Sequence, residues 1–234
     1  MTPGRLDRSL IEDLPIFEGF KPEALDDILS GARAARYPKG TPVFSQDEKA
    51  QSFFVLLHGR LRVTQQTPQG AQIVVRFVTP GEIFGIAAAL GRETFPATAA
   101  AVVDSVCLIW PNALWEPLTS RHPQLTAKTM QTVGNRLQDA HTRLREISTE
   151  DVERRVAHAV LRLARRSGEK TEEGLAIDFP LSRQNIAEMT GTTLHTVSRI
   201  VSGWEAAGWV RGGRQRLVIR DRDKLAELAD RPAE

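Results

Sequence analysis

The chain has 234 residues, with 31 Lys and Arg against 29 Asp and Glu, 41% apolar residues and 26% charged ones. That length closes one large or two small cores, and the balanced composition excludes a disordered or fibrous protein. The richest apolar stretch, residues 83–90, is far too short for a bilayer span, so no membrane partner is expected, and a lone cysteine, Cys107, excludes an internal disulfide.

Leu6, Leu10, Leu14 and Phe17 recur at spacings of three and four and predict a short helical lead-in over residues 1–20. This opening stretch carries acids and no signal-like apolar run, which predicts a cytoplasmic protein. A second short helix opens near Pro22, with Glu23 in its first turn and Phe20, Leu25, Ile28 and Leu29 on its apolar side. Over residues 37–109 the pattern changes to short strands. Val43-Phe44 and residues 53–57, 61–63, 73–78 and 102–109 are apolar or alternating, and turn residues such as His58-Gly59 and Pro80-Gly81 separate them. Short strands so spaced predict a sandwich or jelly roll.

From Pro123 the period is helical. Met130, Val133, Leu137, Ala140, Leu144 and Ile147 follow at alternating intervals of three and four, which is a heptad seam. Such a stripe packs either on a second copy of itself, making a dimer, or on the chain's own core. A helix over residues 149–166 comes next, with Thr149 as its cap, Val152, Val156, Val160 and Leu163 as its stripe and Gly168 as its end. Residues 169–174 are polar and read as a surface loop.

Residues 180–210 carry the most information. Ser182 caps a short helix containing Ile186, Ala187 and Met189, Gly191 breaks it, and Thr192 or Thr193 caps a second helix containing Leu194, Val197, Val201 and Trp204. Two helices joined by a glycine-containing turn of this length match a helix-turn-helix. His195, Ser198, Arg199 and Ser202 share one side of the second helix, with Thr193 and Thr196 at its start. Guanidinium, hydroxyl and imidazole groups on a helix face suit base edges and phosphates in a major groove. Arg183, near the start of the first helix, is placed for a phosphate. Arg214 and Arg216 flank the turn of a small glycine-containing hairpin, a wing, and residues 183–222 hold seven arginines against three acids. The roll has one histidine, His58, and the chain shows no clustered His-Glu set, paired acid–base constellation or P-loop, so no enzymatic activity is expected.

The segments LPIFEGFKPEALDDIL, FFVLLHGRLRV, TPGEIFG and LSRQNIAEMTGTTLHTVSRIVSGWEAAGWV resemble the cyclic-AMP receptor and fumarate–nitrate reductase regulator (Crp/Fnr) superfamily over nearly the whole chain. The resemblance implies an α+β protein: a sensory jelly roll with N-terminal helices over residues 1–120, a dimerisation helix over 121–148 and a winged helix-turn-helix over 149–234. It implies a homodimer on a near-palindromic operator in double-stranded DNA, acting usually as an activator with RNA polymerase as partner. Arg199 matches the recognition-helix arginine that contacts guanine, and Ser198 its serine neighbour. His195 stands where both familiar branches carry glutamate, and a neutral imidazole cannot replace a carboxylate accepting from cytosine.

The effector is expected in a roll pocket built from His58, Glu82, Phe84, Arg92, Phe95 and His141. Phe95-Pro96 occupy the positions of the family's phosphate-binding Arg-Ser pair, which disfavours cyclic AMP, because Phe carries no charge and Pro no amide donor. Arg92 is the nearby substitute that keeps a cyclic nucleotide open. One cysteine excludes an iron–sulfur cluster, and Cys107 reads as a small buried hydrophobe. The string PATAAAV resembles the nitric-oxide and nitrogen-oxide responsive branch, which implies that signal or low oxygen, with haem as the candidate cofactor; no metal-ligand set is assigned. The same fold without any small effector is the alternative.

Overall fold

The computed structural model describes residues 6–231. They fall into two compact units, one holding the chain up to residue 66 with 76–137, the other 67–75 with the chain from 138 onward.

The first unit contains α1 (Pro22–Ser30), β1 (Arg33–Tyr37), β2 (Pro42–Phe44), β3 (Ser52–His58), β4 (Leu61–Gln66), the end of β5 (Gln72–Val78), β6 (Ile83–Phe84), β7 (Thr98–Ala101), β8 (Ser105–Pro111), α2 (Trp115–Arg121) and the first half of α3 (Pro123–Thr149). Its strands make two four-stranded sheets, β1-β8-β3-β6 and β2-β7-β4-β5, the predicted roll. β3 reads as an unbroken apolar run because both of its faces are covered. Phe53 and Val55 pack with the helical segments around Ile28 and Leu118, whereas Phe54 and Leu56 enter the interior between the sheets. β8 follows the same alternation, with Leu108 and Trp110 on the helix side and Cys107 and Ile109 inside. The Trp110 indole donates to the Ile28 carbonyl at 2.7 Å, fixing α1 on that face.

The lead-in is not one helix. Its described part forms two 3₁₀ turns, Arg8–Leu10 and Pro15–Phe17, because Pro15 lacks the N–H a continuing helix requires; residues 1–5 of the prediction lie outside the described residues. Of the expected stripe only Phe17 is fully buried, while Leu10 is 44% exposed; the other buried side chains here, Ile11 and Ile16, lie off that spacing because the 3₁₀ turns reset the helical phase.

The second unit contains the rest of α3, then α4 (Val152–Ser167), β9 (Gly168–Thr171), β10 (Gly174–Ile177), α5 (Arg183–Thr190), α6 (Leu194–Ala206), β11 (Val210–Gly213), β12 (Arg216–Ile219) and α7 (Arg222–Ala229). The cap of α4 is Asp151, not Thr149: its carboxylate accepts from the Arg154 amide at 3.0 Å, while Thr149 is the last residue of α3 and donates back to the Arg145 carbonyl. The predicted 169–174 loop is a β9–β10 hairpin, paired from Gly174 with Thr171 to Ile177 with Gly168 and completing the sheet β11-β12-β10-β9. Val156, Ala157 and Val160 on α4 are fully buried, and α4 packs on α5, α6 and α7. Among the described residues, no helix is long and apolar enough to cross a membrane.

Candidate nucleic-acid interface and effector pocket

Local sequence chemistry sets α5 and α6. Ser182 caps α5 in a reciprocal capping box with Asn185, and Gly191 closes it in the left-handed conformation (φ +63°), which a residue with a Cβ rarely adopts. Thr193 then caps α6, its hydroxyl accepting from the Thr196 amide at 3.1 Å and pairing with the Thr196 hydroxyl at 2.9 Å. Val197, Ile200, Val201 and Trp204 bury one side of α6, and the Trp204 indole donates to Glu153 of α4 at 2.9 Å. The opposite side is open. His195, Arg199 and Ser202 are exposed at offsets of four and seven, with Ser198 half-buried beside them. Leu194, which opens the helix, is 48% exposed.

Arg199, Arg214 and Arg216 are exposed and carry no ion pair among the described residues. Arg183 is different. Its guanidinium donates to both Glu205 oxygens at 3.1 Å and to the Ser202 hydroxyl at 3.3 Å, so it braces α5 against α6 rather than offering a free charge to phosphate. Glu205 was not singled out from the sequence. It lies against the wing at Gly212, where an added Cβ would stand 1.9 Å from the carboxylate, and this missing side chain was the available signal. The wing tip is Arg214-Gln215, and the Gln215 carbonyl accepts from the Leu181 amide at 3.0 Å, docking the hairpin beside the start of α5.

The first unit holds a pocket of about 380 Å³ whose lining includes Phe44, Phe84, Phe95, Arg76, Arg92 and Arg136. Phe95 is buried and stacks on Phe44 with ring centroids 3.8 Å apart, and Phe84 stacks on Phe54 at 5.1 Å. Gly85 permits that packing, because an added Cβ would lie 2.6 Å from the Phe54 ring. Glu82 sits behind the pocket: Arg76 donates to it at 2.5 Å, the Thr79 hydroxyl at 2.7 Å, and Arg136 stands 3.8 Å away. Burial raises the Glu82 pKa, but Arg76, Thr79 and Arg136 together outweigh it and hold the carboxyl below its ordinary range.

Two expected members are not brought to this pocket. His58 is exposed at the end of β3 and lines a separate depression with Tyr37 and Asp104. His141 is exposed on the part of α3 that belongs to the second unit. The alternation that turned Phe54 and Leu56 inward is broken by a register shift between Leu56 and His58. Cys107 is buried as expected, and burial pushes its thiol up to about 12. Among the described residues no group of three His, Cys, Asp or Glu could hold a metal ion.

Along α3, Met130, Leu137, Leu144 and Ile147 are 53%, 56%, 63% and 53% exposed, Ala140 is exposed and Val133 partly buried. The expected seam is therefore an uncovered apolar stripe on the single chain.

Two family models match: a cyclic nucleotide-binding domain over residues 34–122 and a Crp-like helix-turn-helix domain over residues 154–228. The chain is 30% identical over 215 residues to the cyclic AMP receptor protein of Thermus thermophilus, covering 92% of this chain and 96% of that one. It is 27% identical to the transcriptional activator FnrA of Stutzerimonas stutzeri over 88% of this chain and 84% of that one. The structure of FixK2 from Bradyrhizobium japonicum shares the fold, with a TM-score of 0.75, 24% identity and coverage of 86% of this chain and 99% of that one. These matches do not favour the nitrogen-oxide branch that residues 96–102 resemble. A roll, a long helix and a winged helix-turn-helix in this order, with a 30% identical relative along almost its whole length, make the chain a member of the Crp/Fnr superfamily of non-enzymatic transcription regulators.

Proposed function

We propose that the protein is a homodimeric, sequence-specific DNA-binding regulator that reads a major groove with α6 and receives its signal in the roll. The observation that carries this reading is the division of α6 into a buried apolar side and an open side bearing Arg199, His195 and Ser202. A fork of guanidinium donors on an exposed helix side matches the two acceptors of a guanine edge. Arg214 and Arg216 on the wing supply phosphate contacts, and these account for affinity rather than sequence choice. Two copies joined through α3 present two such helices to half-sites about one helical turn apart. One relative is named a transcriptional activator, which supports reading this regulator as an activator, with RNA polymerase as its expected partner.

The pocket favours a compact, largely apolar effector. Phe95, stacked on Phe44, and Pro96 stand where a cyclic nucleotide's phosphate requires a cation and an amide donor, which disfavours cyclic AMP and leaves Arg92 of the lining as the substitute cation for that ligand. Haem does not fit this pocket, because its lining contains no His, Cys, Met or Tyr to serve as axial ligand. A nitrogen-oxide or low-oxygen signal therefore requires a route other than haem in this pocket.

Fluorescence anisotropy on a randomised near-palindromic duplex library tests the reading. Arg199→Ala is expected to cost about 1–3 kcal/mol on the cognate site and to relax preference at one guanine per half-site. Unchanged sequence preference in that variant would remove Arg199 from base readout.

A further inference from the structure

The second unit has a polar groove of about 320 Å³ between the end of α3, α4 and α7. Four arginines line it: Arg145 from α3, Arg162 and Arg165 from α4, and Arg222 at the start of α7, with His158 alongside. Two acids line it as well, Asp139 and Glu146, and both are already engaged. Arg162 pairs with Glu146, whose side chain is only 4% exposed, and Arg166 pairs with Asp139. The acids thus neutralise the groove floor and leave its rim. Arg145, Arg165 and Arg222 are exposed and have no ion pair or side-chain hydrogen bond among the described residues.

Three uncompensated guanidinium groups converge on one concavity from three helices. Like charges so placed repel one another, and each keeps several donors unused. Planar guanidinium forks match phosphate oxygens bidentately, and a concave wall holds an anion on more than one side. We propose that this groove is a phosphate-binding site, closed by an anion that bridges Arg145, Arg165 and Arg222. Occupancy would tie α3, α4 and α7 together, and α4 carries α6 through Trp204 and Glu153. The assignment does not depend on how α6 reads DNA or on what fills the roll.

Two phosphate sources share this chemistry, a free phosphate-bearing small molecule and the backbone of DNA flanking the operator. Calorimetric titration of the full chain with inorganic pyrophosphate, at fixed ionic strength and without DNA, tests the site itself. Wild type is expected to bind one pyrophosphate per chain. Arg165→Ala with Arg222→Ala should weaken binding at least tenfold, and Arg145→Gln should also weaken it as an independent variant on another helix. Exchanging the exposed β1 arginines, Arg33→Ala with Arg36→Ala, should leave binding unchanged. Absence of saturable binding by wild type, or equal loss in the β1 variant, would overturn the proposal. The salt dependence of operator affinity then separates the sources. A slope of log K against log salt that falls by about 1–2 in the Arg165→Ala, Arg222→Ala variant identifies DNA phosphates as the occupant. An unchanged slope, with pyrophosphate binding lost, identifies a small anion.

Discussion

Glu82, an expected member of the effector pocket, follows the Gly81 turn, and the structure makes it the hub of a small ionic network. Arg76, Thr79 and Arg136 all converge on its carboxylate, and two of those residues line the pocket. Its pKa is lowered on folding, so the native state binds its proton more weakly than the unfolded chain does. Stability from this group is therefore fully present above the unfolded carboxylate range and is lost as pH falls through the lowered folded value. Glu82→Gln keeps the shape and removes the charge; about 2 kcal/mol should be lost at neutral pH, since charge-assisted hydrogen bonds to a part-buried group each contribute about 1.5–3 kcal/mol. Urea midpoints measured from pH 7 down to acid should converge for wild type and variant as the carboxyl protonates. Parallel curves would mean that Glu82 is not ionised in the native protein. Asp27 shows the same logic elsewhere, since His122, 2.6 Å away, and Arg121 hold its carboxyl below the ordinary range.

Among elements, α6 was legible because its instructions are local: a threonine cap, a glycine stop before it and an apolar period of three and four. The pairing of Arg183 with Glu205 was not legible, because 22 positions separate them and only the wing's glycines bring the carboxylate into place. Three strands of the roll were missed for similar reasons. β1 is an edge strand with exposed Arg33 and Arg36 and little apolar signal, β6 has only two residues, and β7 reads Thr-Ala-Ala-Ala, a helical composition. Only pairing with β2 and β4 turns Ala99 and Ala101 into the roll, where small side chains fit. The missed α7 is short, held by its Asp221 cap and buried Leu225 and Leu228. The pocket was half legible: Phe84, Arg92 and Phe95 line it, whereas His58 and His141 required knowledge of register and of unit boundaries. The α5–α6 brace makes its own prediction. Arg183→Ala should lower stability by about 1 kcal/mol, the upper range for a part-exposed pair. It should weaken all DNA sequences alike without changing the salt slope. A slope reduced by about two, one phosphate lost per protomer, would restore Arg183 as a phosphate contact.

At the scale of the whole molecule the unresolved energetic term is the α3 stripe. Four large apolar side chains on one helix stand more than half exposed at heptad positions, and isolated surface leucines do not recur with that period by accident of composition. Each is already nearly half buried, so covering the remainder contributes about half of the roughly 1.5–3 kcal/mol of a fully exposed side chain, about 6–12 kcal/mol over four side chains in both copies. This is comparable with the roughly 4–15 kcal/mol that association costs in lost freedom, so the assembly should be sensitive to very few side chains. Leu137→Glu with Leu144→Glu sets like charges opposite one another in both copies. Sedimentation should then shift from dimer to monomer at micromolar concentration, and the thermal midpoint, which rises with protein concentration for a dimer, should become independent of it. Affinity for a full operator should fall by about 10²–10⁴, because the second half-site loses its effective concentration, while affinity for a single half-site stays the same. A variant that still sediments as a dimer and holds the full operator as wild type does would place the contact between copies somewhere other than α3.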